Sequence, residues 1–221
     1  STSATELTNG SANCARVGRI PELDGFRAIA VWMVLGSHMI FGWTLPEGAQ
    51  QLIPKPLISI LSKGWLGVDL FFVLSGLLIT GLLLEARDRP KYFRNFYGRR
   101  SLRIIPLYFV VIAVTFLAYR ETGLYFVLAA LFMANFATVL GVGIPHGPGV
   151  FWSLAVEEHF YLVWPLVVRF FSRRRLAVVA ICILVLSPAL RGLAVAYGLD
   201  PERHVYPLSL FRFDGMALGA L

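Results

Sequence analysis

The 221-residue chain is 57% hydrophobic and only 15% charged, and it carries a formal net charge of +7. Soluble domains hold roughly a quarter charged residues and somewhat under half apolar ones, so this composition excludes an ordinary water-soluble domain. Two cysteines, Cys14 in a polar stretch and Cys182 in an apolar run, exclude a disulfide framework and a cysteine metal site, and no metal is expected. The basic residues flank hydrophobic runs, where chain orientation and lipid headgroups account for them, so no nucleic-acid partner is expected.

In chain order, residues 1–20 are polar and Ser/Thr/Asn-rich at the start, and read as a disordered cytoplasmic tail. The first apolar segment follows too much polar sequence, and lacks the small-residue cleavage site, to be a signal peptide. Apolar runs then predict membrane spans at about 28–45, 65–84, 104–119, 124–140, 154–171 and 176–190, each near the ~20 residues that cross a bilayer core. A seventh begins near 208 and is still running at Leu221, which suggests a C-terminal truncation. The fold class is therefore all-α, a polytopic transmembrane helical bundle of about six full spans and a truncated seventh, with residues 21–221 as one membrane domain.

Seven of the twenty Lys and Arg residues lie between the second and third spans: Arg87, Arg89, Lys91, Arg94, Arg99, Arg100 and Arg103. Positive loops stay in the cytoplasm, which puts this loop and the N-terminus on the cytoplasmic side of the cell (inner) membrane. Strict alternation then sends Arg173, Arg174 and Arg175 outside, against the same rule. Either the fourth hydrophobic segment re-enters or a boundary is misplaced.

Several polar groups lie at depths where they are costly. The stretch "RAIAVWMVLGSH" puts Arg27 and His38 on one helical face, about 16 Å apart along the axis, with Arg27 expected at the inner edge and His38 near mid-membrane. An interfacial anchor and a hydrogen-bonded packing residue are the plain readings. A histidine so placed is also suited to take a proton from a hydroxyl. In "GWLGVDLFFVLSG", Asp69 fits either a helix cap or a site residue. Gly64 and Gly67 permit close backbone approach there, and Gly76 and Gly81 offer a small-residue surface. In "FYGRRSLRIIPLY", Arg100 and Arg103 stand one turn apart before Pro106, as positive-inside anchors or as forks for a multiply phosphorylated donor.

The stretch "FWSLAVEEHFYLVWPL" carries the strongest signal. Trp152 and Ser153 open it, Glu157, Glu158 and His159 interrupt it, and Glu157, Tyr161 and Trp164 share a face. Paired carboxylates in such surroundings are hydrogen-bonded, protonated or functional, unless they only stabilise an interfacial helix start. His146, in the Gly/Pro-rich loop 141–149, reads as a loop residue.

These blocks, with "ELDGFRAIAVWMVLGSH" before them and "FRFDGMALGAL" after them, occur in the order and spacing of one family. From Pro21 to Leu221 the sequence resembles the acyltransferase-3 family, membrane enzymes that O-acylate bacterial surface carbohydrates and glycosylated molecules. The resemblance implies that Arg27 and His38 are required for activity, that Arg100 and Arg103 handle acyl-CoA, and that Ser153 and Glu157 form a Ser-Leu-x-x-Glu element. It implies acetyl-CoA as the donor, a carbohydrate acceptor and no metal. His38 would act as general base or transient acyl carrier, with Glu157 orienting its imidazole. Asp69, Trp152, Ser153, Glu158 and Tyr161 are further site candidates. His159 stands where glutamine is common in the family. Two other readings compete: a proton-coupled transporter with His38, Asp69 and Glu157 as relay, and a structural anchor, which leaves the buried charges without purpose.

Overall fold

The computed structural model describes residues 21–38, 53–119, 123–144 and 151–221. The expected tail, the end of the first predicted span and His146 lie outside the described residues. Among the described residues all regular structure is helical: α1 (Pro21–His38), α2 (Lys55–Leu61), α3 (Gly64–Ala86), α4 (Tyr92–Tyr119), α5 (Gly123–Ala130), α6 (Phe151–Phe170), α7 (Arg173–Ala196) and α8 (Phe213–Ala220). Short 3-10 turns at Ala134–Phe136 and Ser209–Phe211 and a π turn at Pro201–Val205 join them.

Three of these helices are long and apolar enough to cross a membrane: Gly64–Ala86, Tyr92–Ala118 and Arg173–Ala196. Burial separates them, since 44% of the α3 span is inside the bundle against 11% for each of the other two. α3 is thus the central helix. α4 turns Leu107, Val110, Val114 and Leu117 outward along one stripe, the surface an apolar solvent would wet.

Glycine is what lets other helices reach α3. A Cβ on Gly64 would lie 2.2 Å from the Ser37 Cβ, and one on Gly67 would lie 2.6 Å from the Ala30 carbonyl oxygen, so α1 crosses α3 antiparallel at backbone contact. On another side, a Cβ on Gly76 would lie 2.0 Å from the Met216 carbonyl oxygen, and one on Gly219 would lie 1.9 Å from that of Val73; with Arg212 paired to Asp69 and Gly215 beside Phe72, α8 runs parallel to α3. Such contacts replace the hydrophobic drive that is missing between helices in lipid. Gly81, expected on the same surface, faces open space.

Polar side chains supply the remaining adhesion. α6 runs parallel to α3, with Trp164 Nε1 donating to Thr80 Oγ1 at 2.8 Å and Arg87 Nη2 donating to the Arg169 carbonyl at 3.3 Å. α4 runs antiparallel to α6. Pro165 breaks the α6 ladder, and the Tyr92 and Tyr97 hydroxyls donate to the Pro165 and Leu162 carbonyls beside the break.

The fourth predicted span is corrected. Residues 124–140 form the eight-residue α5 and then turns, because Phe132 adopts a left-handed φ of 56° and closes α5. Its amide donates to the Ala129 carbonyl at 2.8 Å, and the Met133 amide to that of Leu128 at 2.7 Å. The Phe132 ring stacks on Tyr108 at 4.6 Å, which holds a non-glycine residue in that conformation. Asn135 is buried, with Ala134 and Ala137 beside it, and donates to Ser209 Oγ at 2.9 Å, so the middle of this irregular stretch is covered by protein.

The break after α5 bears on the charge conflict. α6 then descends beside α3, and Arg173, Arg174 and Arg175 share the end of the bundle that holds Arg87. Both basic clusters obey one rule.

Introducing a Cβ at Gly76 drives it into helix backbone, where no side chain can yield. Gly76→Ala is expected to cost about 1–3 kcal/mol or more by overpacking. Gly81→Ala costs nothing measurable, as thermal unfolding of the two variants in detergent will show.

Candidate functional site

α1, α3, α4 and α6 enclose a cavity of about 730 Å³ that opens at the basic end. Arg27 enters from α1, Arg89 precedes α4, and Arg99, Arg100 and Arg103 come from α4; Glu157 and Tyr161 face them from α6. α4 can present this charge because its first turns are aromatic and basic on the inner side, with Tyr92 packed into the core while its later turns are apolar.

Glu157 is buried, with 4% of its surface exposed. Ser75 Oγ donates to its Oε1 at 2.7 Å, and Arg27 and Arg100 are close enough to act on it electrostatically. A carboxylate so placed needs such partners. Tyr161, one turn further along α6, lies 3.3 Å beneath the Arg100 guanidinium carbon.

The two α4 arginines differ. Arg100 donates from Nε and Nη2 to Glu158 Oε1 at 3.1 and 2.8 Å, so its charge is matched and its plane is pinned against Tyr161. Arg103 and Arg99 line the same cavity, and neither has a carboxylate within ion-pair distance among the described residues. Their donors remain available to an anion.

Beyond Glu157 lies a second chamber of about 220 Å³, almost entirely apolar, between α1, α3 and α6. Phe71, Leu154 and Glu157 are walls of both spaces. Ser153 lines this chamber.

The depths expected for Arg27 and His38 are corrected. Ser37 packs on Gly64, the first residue of α3, so the half-buried His38 stands at the level of the α3 N-terminus, away from the basic end. Arg27 lies part-way in, its guanidinium carbon 5.6 Å from the Phe71 ring. The reason is that α1 pairs with the first turns of α3, where Gly64 and Gly67 allow contact, rather than with its basic end. Glu157 meets α3 at Ser75, eleven positions beyond Gly64 and so about 16 Å along the helix. His38 and Glu157 therefore do not adjoin, and among the described residues His38 is not a wall of either cavity.

Asp69 is neither a cap nor a cavity wall. It pairs with Arg212, which also lies over the Tyr206 ring at 4.8 Å and ties the approach to α8 onto α3. Trp152 packs against Tyr206 with ring centroids 4.9 Å apart. His159 Nδ1 lies 2.6 Å from Ser209 Oγ, a link between α6 and the segment before α8. Asp69 and Glu157 have different partners, Arg212 for the first and Ser75 for the second. Sequence reasoning missed Arg89 and Arg99 as cavity walls, having assigned those two to topology alone.

The family model described as an acyltransferase domain, acyltransferase-3, matches residues 20–192. The chain belongs to the acyltransferase-3 family. It is 34% identical over 217 residues to YrhL of Bacillus subtilis strain 168, provisionally named a peptidoglycan O-acetyltransferase. It is 30% identical over 217 residues to the peptidoglycan O-acetyltransferase OatA of Listeria monocytogenes. These two alignments each cover 88% of this chain and 32% of the relative. The O-acetyltransferase OatA of Staphylococcus aureus is 32% identical over 171 residues, covering 70% of this chain and 26% of the relative. The chain thus spans about a third of the length of these relatives. No solved structure matches.

Removing the Ser75 hydroxyl leaves a buried carboxylate without its hydrogen-bond donor. Ser75→Ala is expected to lower stability by about 1–3 kcal/mol, read as an earlier unfolding transition in detergent.

Proposed function

We propose that this chain is the membrane core of an O-acyltransferase, which takes an acyl group, acetyl in the simplest case, from acyl-CoA at the basic end and delivers it to a carbohydrate hydroxyl. The observation that carries this reading is the cationic cavity, in which arginines of α1 and α4 face the buried Glu157. A nucleotide thioester is an anion with several phosphate oxygens, and unpaired guanidinium groups suit it. The names of the relatives support peptidoglycan as the acceptor class. Family membership supports acyl transfer over proton-coupled transport.

In this reading Arg103 and Arg99 bind donor phosphates, Arg27 meets negative charge deeper in the cavity, and Arg100 holds the wall in shape through Glu158 and Tyr161. Glu157 positions the donor at the wall that the two cavities share. His38 is the general base. It takes the proton of the acceptor hydroxyl as the oxygen attacks the thioester carbonyl, the new carbon–oxygen bond forms and the carbon–sulfur bond breaks; the proton then passes to the departing thiolate. The positive-inside rule supports a cytoplasmic side of the cell membrane for the donor cavity and the N-terminus.

Arg103→Ala is expected to weaken binding of CoA about 10- to 150-fold, the worth of one or two charge-assisted hydrogen bonds, with affinity falling as salt rises. His38→Ala should bind CoA normally and transfer no acyl group. Isothermal titration with CoA, together with mass spectrometry of the acceptor glycan, checks both. Full transfer by His38→Ala removes the histidine from the mechanism.

A further inference from the structure

Outside the cationic cavity, the basic end of the bundle carries a second hollow of about 530 Å³, formed by the turn between α3 and α4, the first residues of α4 and the last turn of α6. Four cations, Arg89, Lys91, Arg94 and Arg169, are among its walls, against the one carboxylate of Asp88. None of the four has a carboxylate within ion-pair distance among the described residues. The turn is fixed by its own hydrogen bonds. Asn95 Nδ2 donates to the Pro90 carbonyl at 3.3 Å and the Asn95 amide to that of Lys91 at 2.8 Å, while Lys91 takes a left-handed φ of 58° to enter α4. Arg87 Nη2 and the Tyr92 hydroxyl donate to carbonyls of α6, at Arg169 and Pro165, and hold the end of that helix to the turn. Arg169 joins this contact through its backbone, so its guanidinium group keeps its donors.

The turn joins two helices that are each long and apolar enough to cross a membrane, which puts it at the level of lipid headgroups. An apolar surface borders it. Phe93, a wall of the hollow, packs against Phe170 with ring centroids 6.4 Å apart; Phe170 is 69% exposed, and Leu166, one turn earlier on α6, is exposed as well. A soluble phosphate compound would use the cations and leave this surface bare, whereas a lipid uses both. We infer that the hollow is a binding site for one anionic phospholipid, whose phosphate meets Lys91, Arg94 and Arg169 and whose hydrocarbon chain lies on Phe170 and Leu166. Neither the acyl donor nor His38 takes part in this site, although Arg89 and Tyr92 line both the hollow and the cationic cavity.

Native mass spectrometry of the purified full-length protein in detergent tests the site with three probes: phosphatidylglycerol, phosphatidylcholine with the same chains, and glycerol phosphate. Lys91→Gln, Arg94→Gln and Arg169→Gln together remove charge from the hollow, with Arg89 kept because it also lines the cationic cavity. Arg173→Gln, Arg174→Gln and Arg175→Gln remove as much charge from the same end but outside the hollow. The expected result is one retained phosphatidylglycerol per chain, held about tenfold or more tightly than phosphatidylcholine, lost in the first triple variant and kept in the second. Phe170→Gln should weaken it severalfold, and glycerol phosphate should not be retained. Equal retention of the two lipids overturns the site, as does phosphatidylglycerol kept by the first triple variant or lost equally from both. Glycerol phosphate held as tightly as phosphatidylglycerol overturns the assignment to a lipid. If the first triple variant does not fold, Lys91→Glu, a single exposed change, is read in its place by the same criteria.

Discussion

The contact of α3 with its neighbours at backbone distance is the constraint on which the rest depends. In lipid, an apolar side chain gains little by leaving one hydrocarbon surface for another, so helices adhere through shape and through hydrogen bonds. Gly64, Gly67 and Gly76 remove the side chains that would hold α1 and α8 away, and Gly219 does the same from the α8 side. Once α1 and α8 are seated there, Ser75 and Thr80 are left to meet α6, and both do so through hydrogen bonds. The position of Glu157 thus follows from where glycine stands on a different helix.

That order of causes also explains a buried carboxylate in an apolar bundle. Ionised and alone it would cost several kcal/mol, and a bundle chosen for stability would not contain it. Here one hydroxyl and nearby guanidinium groups offset part of the cost, and the guanidinium groups line an open cavity. α6 bears the consequence: with Glu157, Glu158 and His159 in its first half, it is not among the helices apolar enough to cross by composition, although it is 20 residues long. Its place in the bundle comes from α3 and α4, which cover its polar side.

The helical class, the central apolar run of α3 and the blocks that mark the family were all legible in the sequence, because hydropathy and fixed spacing survive without coordinates. The fourth segment was not. Residues 124–140 are as apolar as a span, and only the stacking of Phe132 on Tyr108, some two dozen residues earlier in the chain, turns them back. A contact of that separation leaves no periodic trace. The depth of α1 was hidden for a similar reason, since periodicity fixes which residues share a face but says nothing of how far a helix slides along its partner. Gly64 and Gly67 carried that information, and they were read as permitting contact without naming the helix that makes it. Arg100 and Arg103 looked equivalent one turn apart; Glu158, on another helix, makes them different.

The separation of His38 from Glu157 bears on how such a bundle could serve acyl transfer across a membrane. A donor with several negative charges gains from guanidinium groups and loses by entering hydrocarbon, so its head belongs at the basic end. A carbohydrate acceptor is too polar to come to it through the same bundle. The α1 stripe is polar at its two ends, Arg27 and His38, and aliphatic between them, and Phe71, Leu154 and Glu157 are walls of both the cationic cavity and the apolar one beside it.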